Sequence, residues 1–161
     1  MAIYNRSKDG NLIFAKWIWR MYNREKGVRG EDITRNDLKK MKNEGILKDF
    51  KCYPNKAKPD FIVDGKIGIE CKNRDPMKKN IFTRYNVEKQ ITSKFEKQEW
   101  KKKVLIITKL MLYPRDAEEC QKLLQDFIIV EIGEFVTEDN KQLMEEILFE
   151  KLMAKKSEIF D

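Results

Sequence analysis

The chain of 161 residues contains no histidine. That absence removes HNH-type nucleases, HD phosphohydrolases, Ser-His-Asp and Cys-His hydrolases, and His-ligated zinc enzymes. Cysteine is also sparse. Cys52, Cys71 and Cys120 are odd in number, far apart, and form no CxxC pair. This excludes an ordinary zinc finger and argues against a disulfide framework. The seven glycines form neither a Walker A loop nor a GxGxxG turn, which argues against an NTPase or a dinucleotide enzyme. No apolar run approaches the length of a membrane span, and the first residues lack a signal-peptide core. The expectation is an intracellular protein with no membrane partner, cytoplasmic or nucleoid-associated, of cellular, viral or plasmid origin.

What is present is charge and a moderate apolar content. Charged residues make up 38% of the chain and hydrophobic residues 41%. The length and composition suit one globular domain, residues 1–161. The net charge of +7 favours a polyanionic partner, most plausibly nucleic acid. A general solubility charge explains the same number. Carboxylate–metal chemistry survives the eliminations above.

The stretch KPDFIVDGKIGIECKN, residues 58–73, reads as two short strands around a tight turn. Alternation places Glu70 and Lys72 on one face with Gly68, and turns Ile67, Ile69 and Cys71 toward the core. The turn decides whether Asp60 joins them. A two-residue loop, Asp64-Gly65, sets Asp60 opposite Ile69. A three-residue loop, Val63-Asp64-Gly65, sets it opposite Gly68 and diagonal to Glu70. The three-residue loop is the expectation. Two carboxylates and an ammonium on one sheet face suit Mg²⁺, with Mn²⁺ as a substitute. Such an ion acidifies a bound water, and the lysine orients or deprotonates it.

Pro59-Asp60, nine residues, then Glu70-Cys71-Lys72 resembles the motif of the PD-(D/E)xK nuclease superfamily, and in shape that of Holliday junction resolvases. Glu99-Trp100-Lys101 also fits ExK but sits in a polar run; a Pro-Asp pair occurs once. The resemblance implies Asp60 and Glu70 as metal ligands, the Cys71 carbonyl as a further ligand, and Lys72 beside the attacking water. It implies a restriction-endonuclease-like α/β core, a central mixed β-sheet flanked by α-helices. It further implies a homodimer acting on double-stranded or branched DNA. Family members often carry another acid on the preceding helix, for which Glu31, Asp37 and Glu44 are candidates. Gln90 is nearest to the Gln that several branches aim at the site. Lys94 stands where RecB-like exonucleases have Tyr, and the cysteines do not supply the iron–sulfur set of some members.

The remaining chain supplies the scaffold. Asn11–Lys26 reads as a helix, apolar over a wide arc through Ile13, Phe14, Trp17, Ile18 and Met21. That arc fits either packing on two sides within the monomer or a homodimer interface. Gly27–Gly30 reads as a hinge or loop, followed by a second helix, Thr34–Glu44, capped by Thr34 with Asp37 in its third position. Ile46–Tyr53 is the expected first strand. Residues 81–100 read as a helix with Val87, Ile91 and Phe95 inward. Val104–Leu110 and Phe127–Ile132 read as strands, with helices over Arg115–Gln125 and Glu138–Met153 and a fraying end. The expected parts are N-terminal helices in 1–45, a sheet core in 46–135, and a C-terminal helix in 136–161.

Lys56, Lys58, Arg84, Lys94, Lys101 and Lys102 are candidate contacts to a nucleic-acid backbone. The leading expectation is a metal-dependent DNA endonuclease. The alternatives are a non-catalytic nucleic-acid-binding protein with a decayed or coincidental motif, and a structural partner protein.

Overall fold

The computed structural model describes residues 10–53, 57–75 and 81–161, with side chains of residues 10–17, 19–20 and 22–27 outside the description. The structure is α/β. Five strands form one sheet in chain order: β1 (Phe50–Cys52), β2 (Phe61–Val63), β3 (Ile67–Lys72), β4 (Lys102–Ile107) and β5 (Phe127–Glu131). The first three pair antiparallel, and β3–β4 and β4–β5 pair parallel. The sheet is therefore mixed. Parallel neighbours need crossovers. These are supplied by α2 (Arg84–Gln90) with a 3₁₀ turn at Thr92–Phe95, and by α3 (Ala117–Leu123).

The alternation of β3 sorts its side chains as expected. Ile67 and Ile69 join Phe61, Val63, Val104 and Ile106 beneath α1 (Gly10–Asn43), α4 (Lys141–Ala154) and α5 (Lys156–Phe160). On the other face Leu105, Ile107 and Phe127 pack on Val87, Ile91, Phe95 and Cys120. Ile67 through Glu70 are all buried, as in a strand covered on both sides. Gly68 permits this cover. A Cβ there would lie 2.6 Å from the Phe95 ring and 3.0 Å from Pro59.

Several boundaries differ from expectation. The two N-terminal helices are one 34-residue helix, without a hinge. Gly30 serves close approach instead, because an added Cβ would lie 2.9 Å from the Asn73 Cβ. Thr34 is thus a mid-helix residue; its hydroxyl donates to the Gly30 carbonyl and accepts from the Cys71 thiol. The helix expected over 81–100 is broken at Ile91. Strand β1 is shorter than the Ile46–Tyr53 run, and β4 ends at Ile107 rather than Leu110. The C-terminus does not fray: α5 buries Ile159. Among the described residues, no helix is long and apolar enough to cross a membrane.

Candidate active site

The β2–β3 hairpin sets the site. Val63 pairs with Ile67, so the loop is Asp64-Gly65-Lys66, one residue later than expected. Asp64 and Gly65 both adopt left-handed φ, and the Lys66 N–H donates to the Val63 carbonyl. Asp64 is held there because its carboxylate accepts from the Lys48 and Asp49 N–H groups at 3.0 and 2.9 Å. The odd-length loop keeps Asp60 in phase with the Glu70 face. Its displacement makes Asp60 the direct partner of Glu70 by continuation of the ladder, rather than a diagonal neighbour.

Side chains then extend the ladder. The Asp60 N–H donates to Glu70 Oε1 at 3.2 Å, and the Cys71 N–H donates to Asp60 Oδ2 at 2.9 Å. Glu70 is fully shielded from solvent. Its Oε2 has no aligned hydrogen bond, but Lys94 Nζ stands at 3.0 Å and Lys72 Nζ at 3.2 Å. Burial raises the Glu70 carboxyl to about 7, with Asp60 adding to the rise and Lys72 and Lys94 opposing it.

A third acid arrives from α1. Glu31 is raised to about 7, first by burial and then by the Asp60 charge, with Arg35 and Lys94 opposing. For Lys94, burial favours the neutral amine, but the charges of Glu70, Asp60 and Glu31 outweigh it and the net shift is upward. The Cys71 thiol is pushed up by burial and by Asp60. Glu31, Asp60, Glu70, Lys72 and Lys94 thus form one electrostatic unit at the end of β3.

Of the acids weighed from sequence, Glu31 belongs to this unit. Asp37 does not. It is buried on α1 toward α4, 3.7 Å from Lys40, in a contact that includes Glu145. Glu44 is exposed just beyond α1. Lys94, expected on a phosphate backbone, instead pairs with Glu70. Gln90 is turned to Arg74, whose Nη2 donates to its Oε1. Neither role was legible from an unbroken helix.

The other basic candidates scatter. Arg84 is engaged by Glu88 at 3.0 Å and Glu119 at 2.9 Å. Lys58 is exposed, with its ammonium 4.7 Å from the Tyr53 ring centroid. Lys56 lies outside the described residues. Lys102 pairs with Ile67 and Ile107 with Lys72, so Lys101 and Lys102 sit at the opposite end of the strands. Five strand residues span about 16 Å, too far for the same phosphate.

Carboxylate oxygens are the donor type that hard divalent cations take, and here three carboxylates face two ammonium groups, with the shielded Glu70 Oε2 at 3.0 Å from Lys94 and 3.2 Å from Lys72. Among the described residues, no three acidic, cysteine or histidine side chains are drawn together as a cage. The lysines supply the positive charge at Glu70. No protein-family model, curated protein or solved structure matches the chain.

Proposed function

We propose that this protein is a metal-dependent nuclease that hydrolyses phosphodiester bonds in DNA, built on a restriction-endonuclease-like core. The observation that carries this reading is the pairing of Asp60 with Glu70 at the edge of β2 and β3, with Lys72 on the Glu70 carboxylate and Glu31 acting on Asp60 from α1. The hairpin followed by two parallel strands is compatible with that core.

Glu31, Asp60 and Glu70 would hold Mg²⁺ or Mn²⁺, with the Cys71 carbonyl as the further ligand the motif implies. When bound, the ion acidifies water and offsets charge at the scissile phosphate. Lys72 Nζ, an ammonium on the Glu70 carboxylate, would donate to the attacking water and position it, and the water's proton leaves to solvent. Lys94 supplies a second ammonium for charge developing on the phosphoryl oxygens. The water oxygen bonds to phosphorus, the P–O ester bond breaks, and the leaving oxygen takes a proton. The half-buried setting of both lysines limits competing solvent. Branched DNA, including a four-way junction, and a homodimer that makes paired cuts complete the reading. Exposed Met21 and Val28 on α1 are apolar surface for such contact.

A cleavage panel tests it: single strand, duplex, flap and four-way junction, with Mg²⁺ or Mn²⁺. Wild type should cut at least one substrate, and Asp60→Asn, Glu70→Gln and Lys72→Met should cut none while still binding. One observation favours a non-catalytic nucleic-acid-binding protein instead: the buried Glu70 oxygen is faced by the Lys72 and Lys94 ammonium groups. Binding without cutting across the panel selects that alternative.

A further inference from the structure

Arg74 follows β3 by two residues and, among the described residues, is a cation without a counter-charge. Its backbone N–H donates to Thr108 Oγ1 at 3.0 Å, beyond the end of β4. Its guanidinium carbon lies 4.0 Å from the Phe82 ring centroid, and Nη2 donates to Gln90 Oε1. Among the described residues no carboxylate pairs with Arg74, and its Nε and Nη1 have no acceptor. The group is half-buried, and desolvation lowers its pKa without any opposing charge interaction.

Burying a charge without a partner costs free energy. Here the Phe82 ring and the Gln90 amide offset part of that cost, and no carboxylate among the described residues offsets the rest. The geometry is nevertheless fixed: an aromatic face supports the guanidinium, an amide orients it, and two donor atoms stay free. That is how arginine is prepared for a phosphate, which it meets through paired N–H groups. The position fits as well. Arg74 lies outside the carboxyl ends of parallel β3 and β4, where open α/β sheets bind ligands. Gln90 and Lys94 are four residues apart on one broken helical segment. The segment thus carries both the amide on Arg74 and the ammonium that faces Glu70.

We propose that Arg74 is a phosphate-binding residue, which grips a nucleic-acid backbone phosphate neighbouring the one held at Glu31, Asp60, Glu70, Lys72 and Lys94. The neighbouring position rests on the nuclease reading; the phosphate contact itself does not. Arg74 acts in binding and register, and Gln90 is the residue that positions it.

The experiment measures fluorescence anisotropy of a labelled duplex and a labelled four-way junction in metal-free buffer over a salt series. Wild type, Arg74→Gln and Arg74→Lys are compared, with thermal melting of each. Arg74→Gln should weaken binding roughly tenfold and reduce the salt dependence by about one counterion. Its melting temperature should equal or exceed that of wild type, because an unpaired half-buried charge is gone. Arg74→Lys should keep the salt dependence and bind less tightly.

Unchanged affinity and salt dependence in Arg74→Gln, or absence of wild-type binding, overturns the proposal. A lower melting temperature with unchanged binding would assign Arg74 a structural role instead. Metal-dependent cutting is scored in parallel. Arg74-dependent binding without cutting keeps the phosphate contact and removes the nuclease reading. Wild-type cutting with Arg74-independent binding does the reverse.

Discussion

Asp37 offers a quantitative test of the packing between α1 and α4. Its side chain is fully buried, and neither carboxylate oxygen has a hydrogen bond. Burial raises its pKa from an ordinary 3.8 to about 8, against the pull of Lys40 and with a further push from Glu145. A carboxyl raised on folding binds its proton more tightly in the native state than in the unfolded chain. Its contribution is thus fully present below about pH 4 and is lost as pH rises toward 8. At roughly 1.4 kcal/mol for each pH unit, the loss between pH 4 and pH 7 is on the order of 4 kcal/mol. That is a large part of the roughly 5–15 kcal/mol that holds an ordinary domain folded.

Asp37→Asn removes the titration with almost no change of shape, and Asp37→Leu removes the polarity as well. Urea unfolding, followed by circular dichroism at pH 4, 5.5, 7 and 8, would give the stability of each variant against wild type. The advantage of Asp37→Asn should grow steadily across this range, by several kcal/mol in all. Glu31 and Glu70, each raised to about 7, tilt wild type in the same direction, but they are common to both proteins and cancel in the difference. A difference that stays flat with pH, or a variant that loses stability at pH 8, refutes the buried, proton-holding carboxyl.

Other perturbations have equally definite outcomes. Gly68→Ala should lower stability by about 1–3 kcal/mol in chemical denaturation, because the added methyl meets Phe95. That ring cannot yield, being packed edge-on against Phe127 and Trp100. Asn73→Ala should cost roughly 2–4 kcal/mol in the same assay, since its amide both donates to the Val136 carbonyl and accepts from the Val136 N–H. Asp64→Ala should cost about 1–3 kcal/mol, because it leaves the Lys48 and Asp49 N–H groups without their acceptor and a non-glycine residue at positive φ without its support. Lys94→Met should leave the fold intact and reduce single-turnover cleavage about a hundredfold; a rate equal to wild type removes Lys94 from the chemistry.

The sheet was largely legible in sequence because strand alternation has a rigid period. Ile67 and Ile69 against Gly68, Glu70 and Lys72 required no tertiary information. The turn was legible only in parity. Asp64 takes positive φ together with Gly65, and the bonds that fix it come from Lys48 and Asp49, which belong to another loop. The expected hinge failed for a related reason. Glycine in a helix costs about 1 kcal/mol, and that local signal reads as a break. The Gly30–Asn73 approach lies between segments far apart in sequence, so its compensation is invisible along the chain.

The helix after the motif shows how such a miss reaches the site. An unbroken helix puts Arg84, Gln90 and Lys94 on a polar side and suggests a basic stripe for DNA. The chain instead breaks at Ile91, which takes φ −123° and ψ −73°. The β-branched pair Ile91-Thr92 has a low helix propensity, and the Ser93 and Thr92 hydroxyls bond back to the Lys89 and Glu88 carbonyls. The tightened 3₁₀ turn carries Phe95 onto Gly68 and Lys94 onto Glu70, while α2 leaves Gln90 on Arg74. A stripe of equivalent charges thereby becomes three different things: Arg84 neutralised by glutamates, Lys94 paired with a buried acid, and a glutamine orienting an arginine. Composition counted these cations as one favourable field. Their separate partners set apart Arg74, which the charge pattern did not single out, as a cation with no carboxylate partner among the described residues.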